Sequence, residues 1–218
     1  MESLSLNLPG GRAPKFLFIG AHCDDIEIGC GGTAMELLGR YPNAEVHWVV
    51  LSSNEVRSKE AREAAAMILG NIEKKNVVLQ TFRESFFPSE APSIKEFFEQ
   101  IKRDVSPDLV FAHYRDDLHQ DHRTVGELIW NTYRNHMILE YEIPKYDGGL
   151  GSPGVFVPLS EETVKRKVDL LMKCFGSQVP KQWFTPDTFR GLMRLRGIEC
   201  NAPAGFAEAF YARKLCLR

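Results

Sequence analysis

Short apolar runs that alternate with amphipathic stretches predict an α/β chain built on a largely parallel sheet, and three observations carry that expectation. The apolar runs are too continuous to be half exposed, as strands covered on both faces would be. The stretches between them have helical periodicity. The 218 residues suffice for one sizeable core, and no repeat or linker divides them, so residues 1–218 read as a single domain.

The candidate strands are KFLFIG (15–20), EVHWVVLS (45–52), NVVLQTF (76–82) and PDLVFAHY (107–114), each rich in Val, Phe or Leu. A first helix is expected from Thr33 to Arg40, where Met35 and Leu38 sit one turn apart with Leu37 alongside. VRSKEAREAAAMILG (56–70) is rich in helix formers and stops at Gly70. SIKEFFEQIKRDV (93–105) places Ile94, Phe97, Phe98 and Ile101 on one face. After Asp121 a longer helix carries Val125, Leu128, Ile129 and Tyr133. ILEYEIPKYDGGLGSPGVFVPLS (138–160) reads as two short strands around a Gly- and Pro-rich loop. An amphipathic helix with Val164, Val168, Leu171 and Phe175 follows, then a helix near 187–195 and an edge strand at FAEAFYARK (206–214). The expected fold is thus α/β, a Rossmann-like doubly wound, largely parallel sheet with helices on both faces and a less regular C-terminal third.

Composition narrows the function. A net charge of -2 argues against a nucleic-acid-coating chain. No apolar run reaches the roughly 20 residues of a spanning helix, and MESLSLNLPGGRAPK has no leader pattern. Cys23, Cys30, Cys174, Cys200 and Cys216 form no CxxC framework, which fits reduced thiols and a cytoplasmic setting.

Two stretches could carry chemistry: AHCDD (21–25) after the first strand and HYRDDLHQDHR (113–123) after the fourth. Ligands of open parallel sheets bind beyond the strands' carboxyl ends, where both stretches fall. Catalytic zinc takes three protein ligands from His, Asp and Glu and leaves a fourth position for water. His22 and Asp25 are three apart, as are His119 and His122, and a first shell of His22, Asp25 and His122 follows. Asp24 would then be a base for water, and a protonated His119, its pKa raised by Asp121, would serve an oxyanion and a leaving amine. The bland readings are helix caps at Asp24, Asp25 or Asp121, and a solvated turn at Asp116 and Asp117.

AHCDDIEIGCGGT is similar to the AHPDD…G…GGT signature of the PIG-L (LmbE-like) deacetylases, and HYRDDLHQDHR resembles their second signature, HxDH. The resemblance covers residues 15–135, while GSQ (176–178) and FAEAF (206–210) fit more loosely. It implies a zinc-dependent N-deacetylase acting on an N-acetylglucosamine-type sugar or conjugate, a small-molecule partner with neither nucleic acid nor membrane anchor involved. By the same resemblance His22, Asp25 and His122 bind zinc, and iron (Fe2+) suits the same ligands. Asp24 matches the general base, His119 the oxyanion stabiliser and general acid, Asp121 its partner, and Arg57 an arginine that contacts substrate. Related folds assemble into trimers or hexamers, so a homo-oligomer is an open expectation. Cys23 departs from the family's proline: it leaves the loop less stiff and offers a soft zinc ligand, or else it is a small residue turned away from the metal. Choice of sugar would lie in loops such as 83–92 and 144–154.

The rival reading takes EIGCGGT as the glycine-rich loop of an S-adenosylmethionine-dependent methyltransferase. It requires IEIG to end a strand and leaves the second histidine cluster without a role. A non-catalytic sugar- or nucleotide-binding module would use the same crevice but has no need of a base and an acid.

Overall fold

The computed structural model describes residue 8 and residues 11–215; Cys216 and most of the N-terminal stretch read for a leader lie outside the described residues. In chain order the elements are β1 (Lys15–Gly20), α1 (Asp25–Arg40), β2 (Glu45–Val50), α2 (Glu55–Leu69), β3 (Lys74–Leu79), α3 (Phe87–Asp104) and β4 (Leu109–His113). Then come α4 (Gln120–Thr132), β5 (Met137–Tyr141), β6 (Val155–Leu159), α5 (Glu161–Cys174), α6 (Pro186–Glu199) and β7 (Phe206–Tyr211).

The strands form one sheet in the order β3-β2-β1-β4-β5-β7-β6. The first five run parallel, while β7 is antiparallel to both neighbours. The apolar run of β1 is buried on both faces, as its continuity predicts. Phe16 and Phe18 pack towards α1, α2, α5 and α6, and Leu17 and Ile19 towards α3 and α4. Because β2 and β3 lie to one side of β1 and β4 and β5 to the other, the chain reverses direction between β1 and β4. A crevice opens there at their carboxyl ends. No helix among the described residues is long and apolar enough to cross a membrane.

Three local expectations change. The strand at FAEAF is β7, which is internal; the edge is β6, where Pro158, lacking an N–H, is tolerated. These two antiparallel strands are what sets the last third apart. Helix α3 begins at Phe87, so residues 87–92, read as loop, are helical despite Pro92.

The larger change concerns EIGCGGT, which lies inside α1 and neither ends a strand nor forms a glycine loop. That removes the geometry a methyltransferase reading needs. The glycines allow close approach instead: a side chain at Gly29 would strike the Tyr141 ring, and one at Gly32 would strike Leu159 and Glu208. The helix is broken at Cys30 (φ -145°, ψ 18°). Glu208 accepts the N–H groups of Gly32 (2.8 Å) and Thr33 (2.6 Å) just beyond that break. Buried Lys167 donates to the Ile28 carbonyl before it (2.5 Å) and to Glu208 (2.6 Å). The polar residues of FAEAF and of α5 thus repair a helix that begins at the paired acids.

Candidate metal centre

The parallel β1–β4 pairing brings AHCDD and HYRDDLHQDHR together, and the Ala21 N–H meets His113 Nε2 at 2.9 Å across the crevice. His22, Asp25 and His122 then converge. His22 Nδ1 lies 3.3 Å from His122 Nε2 and 3.4 Å from an Asp25 oxygen, whose other oxygen is 3.5 Å from His122 Nε2. A tetrahedral ion with bonds of about 2.0–2.1 Å sets its ligand atoms roughly 3.3–3.4 Å apart. The donor types and spacings fit a zinc-sized cation on these three residues, and His22 with His119 and Asp121 forms a second group close enough to hold one.

Each of the three has a polar partner behind it. His22 Nε2 faces Asp121 Oδ2 at 3.2 Å, and His122 Nδ1 faces Asp117 Oδ2 at 3.2 Å. A carboxylate on one ring nitrogen keeps the proton there and frees the other nitrogen's lone pair for a metal. Behind Asp25, Oδ2 lies 3.0 Å from His113 Nε2 and accepts the His22 N–H at 2.6 Å. Asp121 is itself fixed by the N–H groups of Ser85 (2.6 Å) and Phe87 (3.2 Å), with Ser85 in the left-handed region at φ 67°.

Charge within the pocket favours a cation. Burial opposes a charged His22, but the Asp25 charge and its hydrogen bonds to Asp121 and Asp25 outweigh this and lift its pKa to about 10. Against its own burial, the imidazoles of His122, His113 and His22 hold the Asp25 carboxyl well below the usual range. Burial and the Asp25 charge push Asp24 the other way, upward, although the Arg57 guanidinium is 2.7 Å from its Oδ1. The two adjacent acids are thereby shifted in opposite directions.

The other expected residues are near, in altered roles. His119 caps α4, and its Nδ1 accepts the Asp121 N–H at 3.2 Å, which leaves the ring proton on Nε2. Burial and the neighbouring His122 and His22 rings lower its pKa. The Asp121 carboxylate turns to His22 instead of to His119, whose Nδ1 is occupied by the backbone N–H. Arg57 is buried in the first turn of α2 against Asp24. Cys23 points away: its thiol meets the Ser52 carbonyl at 3.4 Å, and burial pushes its pKa up to about 12. The soft-ligand reading of Cys23 is overturned by that orientation. Cys23, Cys30, Cys174 and Cys200 are all free and buried.

Asp117 corrects the solvated-turn reading, for it is 1% exposed and binds His122, Lys145 and the His119 N–H. His113 was not singled out either. Its signal was available, a histidine closing an apolar strand just before a cluster of acids. Lys145 had no local signal, because it arrives through the pairing of β5 with β4.

A model of the family described as PIG-L, GlcNAc-PI de-N-acetylase, matches residues 17–133. The N,N'-diacetylchitobiose deacetylase of Pyrococcus horikoshii has a TM-score of 0.71 at 22% identity, covering 95% of this chain and 86% of that one. GalB, the 4-carboxy-2-hydroxymuconate hydratase of Pseudomonas putida KT2440, has a TM-score of 0.72 at 14% identity, with 94% and 98% covered. The zinc-inhibited form of teicoplanin deacetylase Orf2 gives 0.69 at 13% identity, with 91% and 97% covered. At such identities these likenesses are of fold.

Proposed function

The chain belongs to the PIG-L family, whose model spans more than half of it, and from that premise we propose that it is a zinc-dependent N-deacetylase of N-acetylglucosamine-type sugars or their conjugates. The observation that carries this reading is the convergence of His22 Nδ1, His122 Nε2 and the Asp25 carboxylate at tetrahedral spacing. A zinc ion on those three residues, or ferrous iron on the same donors, would supply Lewis acidity that polarises an amide carbonyl and acidifies water.

The chain's own groups account for the rest. Asp24, its basicity raised by burial, takes the proton of the attacking water as the C–O bond forms. His119, neutral and protonated at Nε2, donates a hydrogen bond to the oxygen that becomes negative. The proton held on Asp24 then goes to the nitrogen as the C–N bond breaks, giving acetate and a free amine. A neutral imidazole is a weak acid, so Asp24 takes over the protonation of the amine that the sequence reading gave to His119. Arg57 holds Asp24 in place, and its guanidinium beside that base is the group assigned to contact a sugar's hydroxyl or phosphate groups.

The deacetylase names of two fold relatives support the reaction class. The test is acetate release from a panel of N-acetylated amino sugars by zinc-loaded protein. Asp24→Asn should keep its zinc and lose a factor of ~100–10,000 in kcat. Release of no acetate from any member of the panel, or near-full activity in Asp24→Asn, would overturn the assignment.

A further inference from the structure

Lys145 lies outside residues 17–133 and enters the site from the loop after β5. Its buried ammonium donates to Asp117 Oδ2 at 2.8 Å and to the Ile143 carbonyl at 3.0 Å. The same Asp117 oxygen faces His122 Nδ1 at 3.2 Å, while Asp117 Oδ1 accepts the His119 N–H at 2.7 Å. Arg123 fixes the backbone here through the carbonyls of Asp117 (3.0 Å) and Leu118 (2.6 Å). The Asp117 carboxylate is thus held at Oδ1 by the His119 N–H and at Oδ2 by His122 Nδ1 and Lys145, whose ammonium sits on the oxygen that faces His122.

We infer that Lys145 is a positioning residue for the metal centre: it locks the Asp117 carboxylate so that His122 keeps its proton on Nδ1 and turns Nε2 towards His22 and Asp25. This rests on the metal reading proposed above. A cation behind a carboxylate behind a ligating imidazole is a physically sensible arrangement, because groups behind the ligand set its tautomer, orientation and basicity.

The obvious alternative is that Lys145 merely ties down its loop. That loop has moorings of its own. Arg196 Nη2 donates to the Gly151 carbonyl at 3.0 Å while forming a two-point pair with Glu142. Gly149 sits so close to Leu118 that a side chain there would press on its backbone N. The loop thus has holds at Gly149 and Gly151 apart from Lys145, whose ammonium reaches outside the loop to Asp117.

The experiment uses the full chain, with zinc affinity read by competition against a chelator. Wild type should bind zinc, and Lys145→Met, which keeps the stem and removes the charge, should bind it about 10–100-fold more weakly. Lys145→Arg should recover most of that loss. Asp117→Asn should weaken binding alone, and adding Lys145→Met to it should cost little more, because the two act through one contact. If Lys145→Met does not fold, Lys145→Gln is held to the same criterion. Zinc affinity within twofold of wild type in the charge-removed variant would overturn the inference, as would losses that add fully in the double variant. A rise in KM with zinc affinity unchanged would assign Lys145 to the loop and overturn it too. Wild type that binds no zinc would bring down the metal reading itself, an outcome visible before any variant is made.

Discussion

Glu208→Ala tests the repair of α1. In the native chain both Glu208 oxygens are used, Oε1 by the Gly32 N–H and the Lys167 ammonium and Oε2 by the Thr33 N–H. The pair is buried on both sides, each side chain 3% exposed. Truncation leaves Lys167 without its counter-charge, and breaking a buried pair from one side costs about 3–5 kcal/mol. The two amides lose their acceptor at the same time, at about 1–3 kcal/mol each when no water replaces it. These costs overlap, and Lys167 keeps the Ile28 carbonyl, so about 3–5 kcal/mol is the working value. At about 2–4 °C per kcal/mol for a chain of this size, Tm should fall by roughly 6–20 °C. Thermal melts followed by circular dichroism measure it. Lys167→Met combined with Glu208→Leu removes both charges and should melt above Glu208→Ala, yet below wild type, because the amides stay unpaired. A fall of under ~3 °C for Glu208→Ala, or a double variant less stable than the single one, would refute the reasoning.

Two further outcomes follow from buried groups. Cys23→Ala should keep wild-type zinc content, since the thiol faces the Ser52 carbonyl, and should lower stability by about 1–2 kcal/mol for the lost packing; loss of zinc on metal analysis would contradict that geometry. Glu140 is buried and its pKa is raised by burial, although it accepts from the Trp130 indole. Above about pH 4.3 the unfolded chain releases this proton before the folded one does, so stability falls as pH rises through the raised value. Glu140→Gln lacks that term, and its Tm relative to wild type should climb from pH 4 to pH 8; the reverse trend would refute it.

The alternating pattern made most of the fold legible because each strand is buried on both faces, a condition that writes itself into the sequence as an unbroken apolar run. The order of the strands at the far edge was not legible. FAEAF has small residues and a buried acid where an internal strand would ordinarily be aliphatic, since Glu208 is committed to the broken turn of α1. The glycines of EIGCGGT misled for a similar reason. A glycine that admits the Tyr141 ring looks, in one dimension, like a glycine that permits a turn. At the site, the residues three apart in AHCDD and HQDH were readable because local chain geometry unites them. Lys145 and the orientation of Asp121 were not, being set by strand pairing and by the Ser85–Phe87 loop.

The paired acids show how position within one turn divides chemical roles. Asp24 and Asp25 are neighbours, both buried, and each carries one negative charge when ionised. Asp25 faces three imidazoles, so ionisation is held firmly and its lone pairs are directed at the ligand triangle. Asp24 faces one guanidinium and the charge of Asp25, and that balance leaves it with a raised affinity for a proton. In the proposed mechanism, a base and a ligand made from the same residue type differ only in what surrounds them. The environment that separates them comes from β4 and α4, which carry His113 and His122, and from α2, which carries Arg57, so the proposed division of labour depends on the β1–β4 pairing that brings these groups to both residues.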